Sequence, residues 1–231
     1  MIVYGKNVSK EILKSNYNIN KIYLSKEFND KEILDLLKNN RNIICLSKDE
    51  IDNKVNAQSQ GIVLDIEDYK LLDFDKIKND SEANFIVILD HIEDPHNFGA
   101  VIRTCECADV DYIIIPNKRS VSINSTVMKT SSGALVNSNI CEVSNIRTTI
   151  EALKKEGFWI VGADMEGTLY TDIDYSGKVA LVIGNEGEGL TNIVKSSCDY
   201  IASVPMKGKI NSLNASVACG IIIYEILKSR K

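Results

Sequence analysis

The stretch Val179-Ala180-Leu181-Val182-Ile183-Gly184-Asn185-Glu186-Gly187-Glu188-Gly189-Leu190 decides how the rest of the chain is read. Its first five residues are an unbroken apolar run, the pattern of a strand buried on both faces. Glycines follow at 184, 187 and 189. They permit unusual backbone angles and close backbone approach. The spacing is G-x-x-G-x-G, not the dinucleotide G-x-G-x-x-G, and the Lys-Ser/Thr ending of a phosphate loop is missing. Glu186 and Glu188 repel a polyphosphate. Three glycines directly after a buried strand point to a loop that docks a ligand of little negative charge on backbone groups. A tight acidic turn is the plainer alternative.

Similar strand-like runs occupy Phe85 to Leu89, Tyr112 to Ile115, Trp159 to Val161 and Ile201 to Val204. Helix-like segments lie among them at Gly99 to Ala108, Asn124 to Thr130, Ile146 to Lys155 and Asn214 to Lys228. Short apolar strands alternating with helices predict an α/β domain with a parallel sheet covered on both faces. Ligands of such sheets bind beyond the carboxyl ends of the strands. By pattern alone the sheet is Rossmann-like and unknotted.

Residues 76–84 are polar and read as a linker, leaving 1–75 as a small α/β module. It has helical patterning at Asn7 to Ser15 and Lys31 to Asn39, and strands at Lys21 to Leu24, Ile43 to Leu46 and Ile62 to Leu64. Ser47 and Glu50 have capping-box spacing.

Composition bounds the partners. The 231 residues carry 27 Lys+Arg and 32 Asp+Glu, a net charge of −5, with 44% hydrophobic and 26% charged residues. Residues 1–80 hold 13 basic and 14 acidic side chains, net −1, and 81–231 hold 14 and 18, net −4. Neither part is basic, which excludes capture of nucleic acid by a bulk positive field but not binding through local spots. No apolar run reaches the ~18 residues of a membrane span. Met1 to Leu13 lacks the apolar core of a signal peptide, so a cytoplasmic protein with reduced thiols is expected. Cys105 and Cys107 are too close for the usual zinc spacing, and neither His91 nor His96 has a nearby cysteine, so no metal is expected.

Two further loops carry polar chemistry. Asp90 to Arg103 follows the first strand of the second region. There Asn97 is a candidate N-cap, and Arg103 shares a helix face with Gly99 and offers a planar fork for phosphate. Taken alone, this loop reads as a capped helix with a surface arginine. Val204 to Ala218 carries Lys207 and Lys209, a small basic spot, and Ser212 as candidate N-cap of the last helix, with Asn214 in its first turn. Small residues at 215, 216, 218 and 220 allow another backbone to pack closely.

In this order, Asp94 to Thr104, Leu181 to Leu190 and Val204 to Ala218 resemble the three signature motifs of the SPOUT superfamily, in its TrmH (SpoU) branch of RNA ribose 2′-O-methyltransferases. The similarity spans 85–231 and is greatest to the bacterial 23S rRNA guanosine 2′-O-methyltransferase subgroup. Pro116 to Ser120, Ser132-Gly133-Ala134, Tyr4-Gly5 and Gln60 to Val63 also resemble that subgroup. Phe98 stands where Leu is commoner, and Ala215 where Val is common.

The resemblance implies a SPOUT (α/β knot) domain with a deep C-terminal trefoil knot, preceded by an L30e-like RNA substrate-binding domain. The division is 1–75, a linker 76–84, and 85–231. It implies S-adenosylmethionine held by Gly184, Val204 and Leu213, and a homodimer. It implies catalytic roles for Asn97, Arg103, Glu186, Ser212 and Asn214, and methyl transfer to a ribose 2′-hydroxyl, with 23S rRNA as the substrate. Arg103 is the expected phosphate binder that polarises the hydroxyl, since its high pKa conflicts with action as a base. RNA contacts are expected at Arg103, Lys118, Arg119, Lys207 and Lys209. The alternatives are the same reaction on tRNA or other rRNA, and a non-catalytic RNA-binding or ribosome-assembly factor on the same scaffold. A nucleotide-dependent dehydrogenase is disfavoured by the missing glycine fingerprint.

Overall fold

The computed structural model describes residues 1–38, 42–185 and 187–230. In chain order its elements are β1 (Ile2–Tyr4), α1 (Lys6–Lys14), β2 (Ile19–Ser25), α2 (Lys31–Leu37), β3 (Ile43–Leu46), α3 (Lys48–Val55) and β4 (Ile62–Ile66). There follow α4 (Asp75–Lys78), β5 (Phe85–Asp90), α5 (Pro95–Cys107), β6 (Tyr112–Pro116), α6 (Ser125–Thr130) and a 3-10 turn at Ala134–Asn137. The chain ends through β7 (Ile140–Val143), α7 (Ile146–Lys155), β8 (Trp159–Leu169), a 3-10 turn at Tyr170–Asp172, β9 (Val179–Gly184), α8 (Asn192–Ser197), β10 (Tyr200–Ser203) and α9 (Ala215–Ser229).

Two compact units result. The first comprises Met1–Lys70 and Ser122–Asn137. Its sheet has the order β1-β4-β2-β3, with β4 antiparallel to both β1 and β2 and β3 parallel to β2. Val8 and Ile12 of α1, Ile33 of α2 and Ile51 of α3 are buried with Ile22, Ile62 and Leu64 of the sheet. The Ser47–Glu50 capping box is formed in both directions. Residues 122–137 follow a second-unit strand in sequence, yet they cluster with the first unit. There the Lys129 ammonium lies 4.3 Å from the Tyr4 ring centre and donates to its hydroxyl at 3.0 Å.

The second unit comprises Leu71–Val121 and Ser138–Lys231. Among the described residues its strands form one parallel sheet of order β10-β8-β9-β5-β6-β7. Every residue of β5, β6 and β9 is buried, as a doubly covered parallel sheet requires. Alternation along the strands divides them between two faces. Ile86, Ile88, Ile114, Ala180 and Val182 pack with Ile146, Ile150 and Leu153 of α7 and Val194 of α8. On the other side α5 and α9 pack on each other, burying Phe98, Val101, Cys219 and Ile223. Burial also pushes the Cys141 and Cys219 thiols up to about 12, which leaves both unreactive.

Residues 76–84, expected as a linker, are instead packed into the second unit. Ile77 of α4 and Ala83 are buried in the same core as β5. Leu72 bridges to Cys141 of β7. The Tyr112 hydroxyl donates to the Asp80 carboxylate at 2.7 Å, and backbone N–H groups of 84 and 85 donate to Asp111. Polarity marks the exposed side of this segment, and Ile77 and Ala83 carry its burial.

The Tyr112 bond holds the Asp80 carboxyl below its usual range. Burial, then the Asp80 bond, pushes Tyr112 up to about 12. A lowered acid stabilises the fold above its unfolded pKa and loses that contribution as pH falls. A raised phenol contributes below about pH 10 and loses its contribution as pH rises through about 12. Tyr112→Phe is therefore expected to lower the thermal midpoint by about 2–4 °C near neutral pH. Thermal scans across pH should show this difference shrinking towards acid, as Asp80 protonates in the wild type.

Candidate active site

The three loops converge at the carboxyl end of the second sheet. The glycine loop leaves β9 at Gly184, which is in register with Asp90 of β5. A Cβ on Gly184 would land on the Gly189 carbonyl and the Leu190 nitrogen, well inside contact distance. The loop folds back here on the end of its own strand, and only glycine leaves room. Asn185 and Gly189 close it by two backbone bonds, Asn185 N to Gly189 O at 3.2 Å and Gly189 N to Asn185 O at 2.9 Å. Gly189 has φ of 68°, in the left-handed region. Leu190 then returns to the core and Thr191 caps α8.

This loop walls a cavity of about 210 Å³. Gly184, Val204, Ser212 and Leu213 all line it, drawn from two loops distant in sequence. Asn185, Gly187, Glu188 and Gly189 complete the first wall; Met206, Asn211 and Ala218 extend the second. A third wall comes from Ala163, Asp164 and Met165, which the sequence reading missed because it ended the strand at Val161. The strand runs on to Leu169, but its pairing with β10 jumps from Gly162 to Thr168 in one step. Residues 163–167 are thus released from that ladder, and three of them face the cavity. A carboxylate shortly after an apolar strand was the available signal.

Among the described residues the lining is mainly apolar, with Asp164 and Glu188 as its charged members and no lysine or arginine. Asp164 is paired with Lys195 of α8 at 3.1 Å.

The structure corrects both expected caps. Asn97 is not the N-cap of α5: Asp94 is, accepting from His96 N, with Pro95 in the first position. Ser212 does not cap α9, nor is Asn214 within its first turn. Asn214 itself is the N-cap, accepting from Ser216 N and Val217 N. Relieved of capping, Asn97 presents its side-chain oxygen to Asn214 Nδ2 at 2.9 Å. The first and third loops are joined at that bond. Arg103 is exposed on α5. Lys118 and Arg119 are exposed after β6, and Lys207 and Lys209 are exposed between β10 and α9. None of these five cations, nor Asn97 or Asn214, lines the cavity. Glu186 lies outside the described residues. Among the described residues no group of three or more His, Cys, Asp or Glu side chains is placed to hold a metal, and no helix is long and apolar enough to cross a membrane.

Comparison with known proteins agrees with this arrangement. Residues 84–224 match the SpoU rRNA methylase family, and residues 2–72 match the RNA 2′-O ribose methyltransferase substrate-binding family. A protein of Staphylococcus haemolyticus, named as a TrmH family tRNA/rRNA methyltransferase, is 37% identical over 239 residues, covering 100% of this chain and 96% of its own. One of Staphylococcus saprophyticus, with the same name, is 38% identical over the same extent. In structure, the SpoU methyltransferase AviRb from Streptomyces viridochromogenes, in complex with its cofactor AdoMet, superposes with a TM-score of 0.84 at 24% identity. It covers 100% of this chain and 90% of that one. An AdoMet-bound rRNA methyltransferase from Sinorhizobium meliloti gives 0.82 at 22% identity, covering 98% and 86%. The chain belongs to the SpoU rRNA methylase family and is an RNA methyltransferase of the TrmH type.

Gly184→Ala should abolish ligand binding in the cavity, because the added methyl displaces the backbone of 189–190 rather than a flexible side chain. Isothermal calorimetry with S-adenosylhomocysteine checks it. Affinity within about tenfold of wild type, roughly 1.4 kcal/mol, would show that the loop tolerates the change.

Proposed function

We propose that the protein transfers a methyl group from S-adenosylmethionine to a ribose 2′-hydroxyl of RNA, with a guanosine of 23S rRNA as its target. The observation that carries this reading is one cavity that brings together Gly184, Val204 and Leu213, the residues expected to hold the cofactor, and Ser212, expected to act in catalysis. The cofactor fits these residues chemically. Its adenine suits the apolar walls, and its cationic sulfonium, with no phosphate, suits a lining whose charged members are Glu188 and the Lys195-paired Asp164, with no basic side chain. When bound, it supplies an activated methyl group.

The chain's own residues do the remaining work. The Asn97–Asn214 bond fixes the start of α5 against the start of α9 and so orients the helix that carries Arg103. Arg103 binds the RNA phosphate next to the target ribose and polarises its hydroxyl. Ser212, exposed and lining the cavity, is the side chain assigned to orient the ribose. Lys118, Arg119, Lys207 and Lys209 extend the contact to the RNA backbone as exposed local cations. Holding the hydroxyl and the methyl close and aligned is the main contribution to rate, up to about 7–11 kcal/mol in favourable cases. The match of residues 2–72 to a substrate-binding family supports RNA capture by the first unit. Exposed Val217 and Tyr224 on α9 support a homodimer. Transfer to tRNA is the second reading, favoured by the tRNA/rRNA naming of the Staphylococcus relatives.

Two measurements test this. Incubation with methyl-tritiated cofactor and separately transcribed 23S rRNA, 16S rRNA and tRNA should label 23S rRNA, in alkali-resistant dinucleotides containing guanosine. Label confined to tRNA would favour the second reading, and absence of cofactor binding would leave a non-catalytic RNA-binding factor. In single-turnover assays, Arg103→Ala should lower the rate about 10²-fold or more while calorimetric cofactor affinity is unchanged. Near-wild-type transfer would remove Arg103 from the mechanism.

A further inference from the structure

A buried carboxylate stands beside the glycine loop. Among the described residues, Asp90 is the one Asp, Glu, Lys or Arg classed as buried, at 1% exposure. Taking a carboxylate out of water is costly unless its charge is met. Here Oδ1 lies 2.6 Å from His91 Nδ1, and Oδ2 accepts from both the backbone N–H and the hydroxyl of Thr191 at 3.4 Å. Thr191 is the residue at which the glycine loop ends and α8 begins.

The neighbouring residue ties down the other end of the loop. His91 has φ of 64°, a left-handed conformation that disfavours a residue with a Cβ. Its carbonyl accepts from Asn185 Nδ2 at 2.9 Å, and Asn185 Oδ1 in turn accepts from Gly187 N at 2.8 Å. The pair 90–91 therefore holds the glycine loop at its first residue, through Asn185, and at its exit, through Thr191. The cavity wall lies between those two points.

We propose that Asp90 is a positioning residue for cofactor binding. Its carboxylate fixes the His91 imidazole and Thr191, and through them holds the glycine loop in the shape that receives the cofactor. Asp90 does not line the cavity itself. The proposal rests on the reading of the cavity as the S-adenosylmethionine site.

The test is calorimetry with S-adenosylhomocysteine, with initial rates on unmodified rRNA, for wild type, Asp90→Ala, Asp90→Asn, Asn185→Ala and the Asp90→Ala/Asn185→Ala pair. Asp90→Ala should weaken cofactor binding and raise cofactor KM by about tenfold or more, with kcat at saturating cofactor within about threefold, and Asn185→Ala, which also removes a residue of the cavity wall, should weaken binding at least as much. The double variant should be little worse than either single, since both act through one loop. Asp90→Asn keeps an acceptor for Thr191 and should rescue part of the affinity. A purely structural Asp90 would lower the thermal midpoint and leave the affinity of the folded protein unchanged, which overturns the proposal. If Asp90→Ala does not fold, wild-type affinity in Asn185→Ala overturns it instead. Absence of binding in the wild type would fail the cofactor reading, a result distinct from selective loss in the variants.

Discussion

The functional end of the molecule depends on the chain folding back over the last residue of β9. At Gly184 the backbone of 189–190 occupies the space that a side chain would need. Two consequences follow from that contact. The loop exposes Asn185, Gly187 and Glu188 to the cavity, and Leu190 returns to the core beneath it. The ligand wall and the hydrophobic core therefore share a short segment, and the burial of Leu190 helps to hold the wall in place. A loop secured in this way loses little conformational freedom when it binds, so less of the interaction energy is spent on ordering.

The same economy appears in the other two walls. β8 continues past its pairing break with β10, so that residues 163–165 leave the ladder and face the cavity while the strand keeps its place in the sheet. Asn214 uses both ends of one amide: its oxygen caps α9, and its nitrogen reaches Asn97 on α5. Charge is divided by location. The carboxylates Asp164 and Glu188 line the cavity, whereas Arg103, Lys118, Arg119, Lys207 and Lys209 are exposed outside it. An acidic protein can thus keep a phosphate-free ligand and a polyanion in separate electrostatic surroundings.

Much of the fold was legible locally. The periodic apolar face of Ile146–Lys155 and the run Ile43–Leu46 appear with the expected bounds, because a buried helix stripe leaves its period in the sequence and a short apolar run between polar residues favours a strand. The strand Ile140–Val143 was missed because Glu142 interrupts its apolar run, and the helix Asn192–Ser197 because six residues are too few for a period to accumulate. The caps were displaced because Asp94 and Asn97, like Ser212 and Asn214, share one capping chemistry. Local sequence ranks such neighbours poorly. At α5 the first-turn Pro95 accompanies capping by Asp94. Residues 76–84 looked like a linker because two isolated buried residues among polar neighbours, Ile77 and Ala83, have no periodicity to announce them.

By itself the sequence determined the parallel α/β class and the three loops, since glycine spacing and strand-then-loop order are local properties, and the family resemblance added Gly184, Val204 and Leu213. The tertiary structure decided what those residues do to one another. Only folding brings Asn97 to Asn214 across 117 residues of chain. Only folding releases 163–165 into the cavity, groups Ser122–Asn137 with the first unit, and brings Thr191 to Asp90 across 101 residues of chain. Each of these is a contact between segments far apart in sequence or a break in pairing register. Their free energy comes from burial and hydrogen bonding that exist only once the sheet is assembled.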